Sequence, residues 1–203
     1  MKNVKEQIHE FLEIEISELN VFIRNIDFHS LENAKELIIK AEKNNNRIHV
    51  TGIGKPAHVA SYIASLFSST GTPTYELNAT EAVHGSAGQV LPNDVVIAIS
   101  NSGETKELKA TIQTLKNNEA KIIAVTSNEN SWLAKQADVS LIAKVHQEGD
   151  SMNKPPRASI VAQIIMLQCL SILLQNTKNI TPEQYIKWHP GGMLGESIRK
   201  EQI

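Results

Sequence analysis

The chain has 203 residues, 20 Lys and Arg against 22 Asp and Glu, and a formal net charge of −2. That length holds one well-buried α/β core and is short for two independent domains. Charges of both signs are mixed throughout, unlike the basic footprint of a nucleic-acid binder. The one cysteine, Cys169, lies in an apolar run and reads as a packed core thiol in a reducing compartment.

The first twenty residues alternate glutamates with aliphatics and lack the apolar stretch of a signal peptide. Ile8, Leu12, Ile16, Leu19, Ile23 and Ile26 recur three or four apart against Glu6, Glu10, Glu13 and Glu18, the pattern of an amphipathic helix. A second helix is expected over 31–42, stopped by Lys43-Asn44-Asn45-Asn46. Helices placed ahead of the first strand cap a sheet or pair with another subunit, and both roles stay open here.

Strands and helices then alternate. Strands are expected over 48–51, 73–77, 94–100, 121–126 and 139–143, and helices over 56–69, 106–117, 131–136, 157–175 and 182–188. Pro56 suits a first helical turn, and the continuous apolar run 94–100 suits the centre of a parallel sheet. The most hydrophobic segment, 160–174, carries Gln163 and Gln168 and falls short of the ~20 apolar residues that cross a bilayer. It reads as a buried helix of a soluble, cytoplasmic protein. The fold class is α/β, three-layer α/β/α, with a parallel, mostly five-stranded sheet and extra N-terminal helices. It forms a single domain over 1–203: helices in 1–45, a core in 46–195 and a tail in 196–203.

Open α/β sheets bind ligands beyond the carboxyl ends of their strands, so three loops matter. In the first, Gly52, Gly54 and Ala57, with Glu76 downstream, satisfy the short dinucleotide fingerprint only weakly. Lys55 fits better as a cation aimed at a substrate oxygen, against a bland reading as a solvated helix start. In the second, a strand runs into Ser100-Asn101-Ser102-Gly103-Glu104-Thr105 and a helix begins at once. An anion there meets free N–H groups, the positive helix end and three hydroxyls. The bland alternative is capping by Ser102 or Thr105, and no nucleoside-triphosphate loop pattern is present.

With those residues in place, the chain resembles a known family. Gly52-Ile53-Gly54-Lys55, Glu81-Ala82-Val83-His84-Gly85, Ser100-Asn101-Ser102-Gly103-Glu104 and His189-Pro190-Gly191-Gly192 look like motifs of the sugar isomerase (SIS) domain. More narrowly they resemble its arabinose-5-phosphate isomerase branch, from about 47 to 195. The resemblance implies interconversion of D-ribulose 5-phosphate and D-arabinose 5-phosphate, without cofactor or metal. It also implies dimers of dimers, whose sites are completed by neighbouring subunits. Branch members commonly carry regulatory CBS domains after the isomerase domain, and this chain is expected to lack them.

Carried over by position, the catalytic set falls on Lys55, His84, Glu107, Glu148 and His189, with Gly54, Ser100, Asn101, Ser102, Gly103, Thr105 and Arg157 as substrate-binding residues. Aldose–ketose isomerisation moves a proton between C1 and C2 through an enediol, so a carboxylate must take and return it. A cation must stabilise the developing oxyanion, and imidazole is suited to opening the sugar ring. Glu148 is the first choice for the base, Glu107 its alternative or partner, and His84 or His189 the ring opener or hydroxyl shuttle. His9, His29, His49 and His146 read as structural. His58, one turn from Lys55, stays open.

The third loop departs from the branch. After Glu148 the branch usually shows a cysteine and small apolar residues, then Pro-Thr-Ser-Ser; here only Pro156 and Ser159 keep that ending. Arg157 replaces a hydroxyl and is a candidate ligand for phosphate or a sugar acid. The residues offer no metal-ligand spacing. The partner expected is therefore a small sugar phosphate, with no nucleic acid and no membrane, in a homo-oligomer. The alternatives are an isomerase of another pentose or hexose phosphate, a non-catalytic phosphosugar-binding regulatory protein and, last, a nicotinamide-dependent dehydrogenase.

Overall fold

The computed structural model describes residues 2–191. Two long helices, α1 (Val4–Arg24) and α2 (Phe28–Lys43), precede five strands: β1 (Ile48–Gly52), β2 (Thr74–Glu76), β3 (Val95–Ile99), β4 (Lys121–Thr126) and β5 (Val139–Ile142). Between and after them come α3 (Lys55–Ser69), α4 (Ala79–Ala82), a 3₁₀ turn (Ser86–Gln89), α5 (Lys106–Asn117), α6 (Trp132–Gln136), α7 (Ala158–Lys178) and α8 (Pro182–Trp188). All strand pairs are parallel, in the order β2-β1-β3-β4-β5. The expected architecture is borne out.

Alternate strand residues split the core in two. Ile48, Val50, Val95, Ile97, Ile99, Ile123 and Val125 face α1, α2, α3 and α7. Val96, Ala98, Ile122 and Ala124 face α4, α5 and α6. The cause is topological: β1 crosses to β2 in one direction and β3 to β4 in the other, so right-handed crossovers lay α3 and α5 on opposite faces. The chain therefore reverses between β1 and β3, where a crevice opens.

Three expectations are corrected. On α1 the aliphatic stripe is split: Ile8, Leu12, Ile16 and Ile23 are exposed, while Leu19 and the following Ile26 pack on the core beside the buried Glu18 and Phe22. α7 is a 21-residue helix, long and apolar enough to cross a membrane. Instead, Ala162, Met166, Leu167, Leu170 and Leu174 are buried in the core shared with α2 and α3. Each such large aliphatic side chain contributes roughly 1.5–3 kcal/mol when removed from water. Cys169 on this helix is half-buried rather than enclosed, and burial pushes its thiol up. Gly192, the end of the expected core and the 196–203 tail lie outside the described residues.

At the amino edge of the sheet, Asp94 staples the starts of β1 and β3. Its Oδ1 accepts the Arg47 N–H at 2.8 Å and its Oδ2 the Leu91 N–H at 2.8 Å.

Candidate active site

Helix starts separate structural ends from open ones. Side chains cap α1, α2, α4, α6 and α8, through Asn3, Asp27, Asn78, Ser131 and Thr181. The cap residues of α3, α5 and α7 are Gly54, Thr105 and Arg157, and none of them makes a side-chain cap bond. These are the helices that begin at the carboxyl edge after β1, β3 and β5. Each helix start leaves N–H groups to be satisfied by something outside the helix.

The first two open ends stand side by side, because Gly52 pairs with Ile99 in the β1–β3 register. The loop after β3 is held from behind. Asn101 O accepts from Thr126 Oγ1 at 3.0 Å and from Ser127 Oγ at 2.7 Å. Ser100 Oγ lies 3.2 Å from Thr105 Oγ1 and accepts the Gly103 N–H at 3.2 Å. Among the described residues Ser102 Oγ accepts only the local Glu104 N–H. Thr105 occupies the cap position of α5 without capping it. The capping alternative thus leaves the first turn of α5 open to an anion, with the hydroxyls beside it. Glu104 is turned away onto Lys109 and the Trp132 N–H, which hold its carboxyl below the usual range. Asn101 Oδ1 is buried without a hydrogen-bond partner among the described residues, an acceptor facing no donor.

The third helix start is closed by Glu148, which is 8% exposed. Its Oε2 accepts the Arg157 N–H at 2.6 Å and the Ser159 N–H at 3.1 Å. The anion therefore sits on the positive end of α7, and Oε1 carries no hydrogen bond among the described residues. Asn153, which sequence reasoning missed, shapes this turn: its Oδ1 accepts the Glu148 N–H at 2.7 Å and its Nδ2 donates to His146 O at 3.1 Å. Its backbone takes a left-handed φ of 49°, which asparagine tolerates; the sequence shows only an asparagine in a polar loop. The Arg157 guanidinium is engaged by Asp150 at 2.6 Å and holds that carboxyl low.

α3 and α7 run parallel. Gln168 donates to Tyr62, Ser171 meets Thr70 and Lys178 reaches Gly71 O, so residue numbers rise together along both helices. Lys55, exposed in the first turn of α3, therefore shares one end of the molecule with the Glu148 cap. On the other face, Thr111 Oγ1 donates to Ala79 O at 2.6 Å. That bond docks the start of α4 on α5. The chain then runs along α5 to Ala87, whose carbonyl accepts from Asn118 Nδ2 at the far end of that helix, so the exposed His84 lies between these two levels. Glu107 is exposed in the first turn of α5. Lys55, Glu148, the 100–105 loop and Glu107 thus lie toward the carboxyl edge, where α3, α5 and α7 begin, and His84 stands farther along α5.

His189 does not join them. It follows α8, stacks on Tyr185 at 3.9 Å and contacts Tyr185 O through Nδ1. A Cβ on Gly71, just past the last turn of α3, would meet Trp188 at 2.9 Å and Ile180 at 2.7 Å. His189 is therefore at the amino edge, the length of α3 or roughly 20 Å from Lys55.

A cavity of about 280 Å³ opens between residues 52–60 and 76–80, with His58 and Glu76 on its wall. Another of about 270 Å³, among Lys40, Asn44, Asn46 and Asn93, lies at the amino edge, where such sheets do not build sites. Among the described residues no cluster of three His, Cys, Asp or Glu side chains could hold a metal ion.

The SIS domain family model matches residues 43–173. The chain belongs to the SIS domain family. Among SIS proteins it is 35% identical over 189 residues to the arabinose 5-phosphate isomerase KdsD of Francisella tularensis, covering 93% of this chain and 58% of that protein. It is 40% identical over 152 residues to KdsD of Escherichia coli K12, covering 75% of this chain and 46% of that protein. The chain thus spans about half the length of the curated relatives it matches. The E. coli CFT073 protein c3406, solved in complex with arabinose 5-phosphate, superposes with a TM-score of 0.85 at 31% identity, covering 93% of this chain and all of that one. The SIS assignment covers both halves of the crevice, from the end of α2 through most of α7.

Proposed function

We propose that this chain is a sugar-phosphate aldose–ketose isomerase that interconverts D-arabinose 5-phosphate and D-ribulose 5-phosphate through an enediol. The observation that carries the reading is the match, over 93% of this chain, to a SIS protein solved with arabinose 5-phosphate, supported by the open starts of α3 and α5 lying side by side at the carboxyl edge. The 5-phosphate occupies the nest of Ser100, Ser102, Gly103 and Thr105 at the start of α5, with Asn101 Oδ1 as an acceptor for a sugar hydroxyl. Lys55 faces the carbonyl oxygen, and His84 opens the ring.

Glu148 is the base. Its Oε2 is fixed by two N–H groups, which leaves Oε1 to break the C2–H bond of the aldose. The proton forms a bond to Oε1, and the electron pair becomes the C1–C2 double bond as charge develops on O1 toward Lys55. Glu107 or a histidine moves the hydroxyl proton from O2 to O1, and the proton on Glu148 returns at C1. This chemistry balances without an external oxidant or reductant.

The active form is proposed to be a homo-oligomer, a dimer or a dimer of dimers, in the cytoplasm. Its support is His189 lying at the far end of its own subunit and Ile8, Leu12, Ile16 and Ile23 of α1 standing exposed. Incubation of ribulose 5-phosphate with the protein in D₂O, without nicotinamide, should yield arabinose 5-phosphate deuterated at C2. Thermal stabilisation by the sugar phosphate with neither product nor exchange would identify a binding protein instead.

A further inference from the structure

α1 turns charge inward. Glu18 is buried, and its Oε2 accepts the His146 N–H at 2.7 Å. One turn earlier, Glu15 Oε2 is buried with no hydrogen-bond partner among the described residues. A Cβ on Gly149, the residue after Glu148, would stand 2.5 Å from the Phe11 ring and 3.8 Å from Glu15 Oε2. α1 therefore brings a second carboxyl group up behind the segment that carries Glu148. A buried acceptor with no donor is a cost that natural folds rarely carry without a use.

We propose that Glu15 is a positioning residue for the reaction, a carboxylate on α1 whose charge drives proton uptake at Glu148. The inference rests on Glu148 being the enediol base. Burial first, and then the charge of Glu148, push the Glu15 carboxyl above its ordinary range, with Arg157 pulling the other way. Interaction between two titrating sites is mutual. The repulsion that hinders ionisation of Glu15 also favours a proton arriving on its neighbour from carbon. The doubly ionised pair is then the fastest form, and the positive end of α7 keeps Glu148 in place while Glu15 pushes. The other charged or titratable groups around the pair are Glu18 on α1, His146, Asp150 and Arg157 on the loop, and the Lys2–Glu10 ion pair beside Gly149.

The test compares the pH dependence of kcat for the full chain and for Glu15→Gln with arabinose 5-phosphate. The acidic limb of the variant should move to lower pH, and its plateau kcat should fall about two- to fivefold, with KM unchanged. Glu15→Asp, which keeps the charge, should recover most of the plateau. Glu18→Gln, which keeps an acceptor for the His146 N–H, should leave the limb where it is. An unmoved limb in a Glu15→Gln protein that melts as a folded chain would overturn the proposal, as would a Glu15→Asp variant no better than Gln. A wild-type chain without turnover would instead remove the reading of Glu148 on which the proposal stands.

Discussion

Gly103 is seated against Ser131: a Cβ added to Gly103 would stand 2.3 Å from Ser131 Oγ, and the glycine itself holds a φ of +66°. The anion nest is thus formed by pressing one turn of chain onto the cap of α6, and Ser131 is itself buried and bonded to the Ala134 N–H. Gly103→Ala should cost about 1–2 kcal/mol for the backbone conformation alone, with displacement of the loop added. The expected result is a lower unfolding midpoint in denaturant and a KM for sugar phosphate raised about tenfold, the equivalent of one charge-assisted hydrogen bond. An alanine variant with wild-type affinity would detach the loop from phosphate binding.

Glu148→Gln should separate chemistry from architecture. The amide oxygen can still accept from the Arg157 and Ser159 N–H groups that the carboxylate now serves, so the start of α7 stays closed. The base is lost, and kcat should drop by about 10²–10⁴, while stabilisation by the ligand in a thermal melt is retained. Substantial turnover would move the proton abstraction to Glu107.

The alternation of strand and helix was readable because the central strands β3 and β4 are buried apolar runs bounded by polar turns, while the short edge strands β2 and β5 are partly exposed. The crevice followed from topology, which places the 52–55 and 100–105 loops together once Gly52 pairs with Ile99. α1 was not readable in the same way. Its aliphatics at 8, 12 and 16 and its inward residues Phe11, Glu15, Glu18 and Phe22 both recur at helical spacing. Only the N–H group of His146, 128 residues away, decides that carboxylates face in. α4 and the 3₁₀ turn, four residues each, are too short to show a period. The position of His189 depended on which edge of the sheet α8 reaches, and no motif encodes that.

His49 offers a pH test of the core. It is 1% exposed, and burial pushes its imidazole below the usual range; Asp94, with Oδ2 3.5 Å from Nε2, acts in the opposite sense and is outweighed. That contact is too long to be a good hydrogen bond, and the ring stays neutral. As pH falls below the ordinary histidine value of about 6.5, the unfolded chain takes up a proton that the folded chain refuses, so stability decreases. The unfolding midpoint should fall between about pH 7.5 and 5.5, and His49→Phe should lose a smaller part of it. Parallel losses in the two proteins would mean that His49 is not the group responsible.

The distance between His189 and its own site is testable by mixing subunits. In a homo-oligomer, His189 at the amino edge can complete only a neighbour's crevice, where Glu148 belongs to the other chain. His189→Ala and Glu148→Gln are each expected to be nearly inactive alone. When the two are co-expressed, each mixed pair contains one site with both defects and one with neither. About a quarter of wild-type sites should then be restored if subunits pair at random in a twofold assembly. If His189 served its own subunit, every site in every pair would carry one defect and no activity would return. The same mixture made with Lys55→Ala and Glu148→Gln is the control. Those two residues lie on one subunit's edge, so no pairing of chains yields an intact site, and that mixture should stay inactive whatever its oligomeric state.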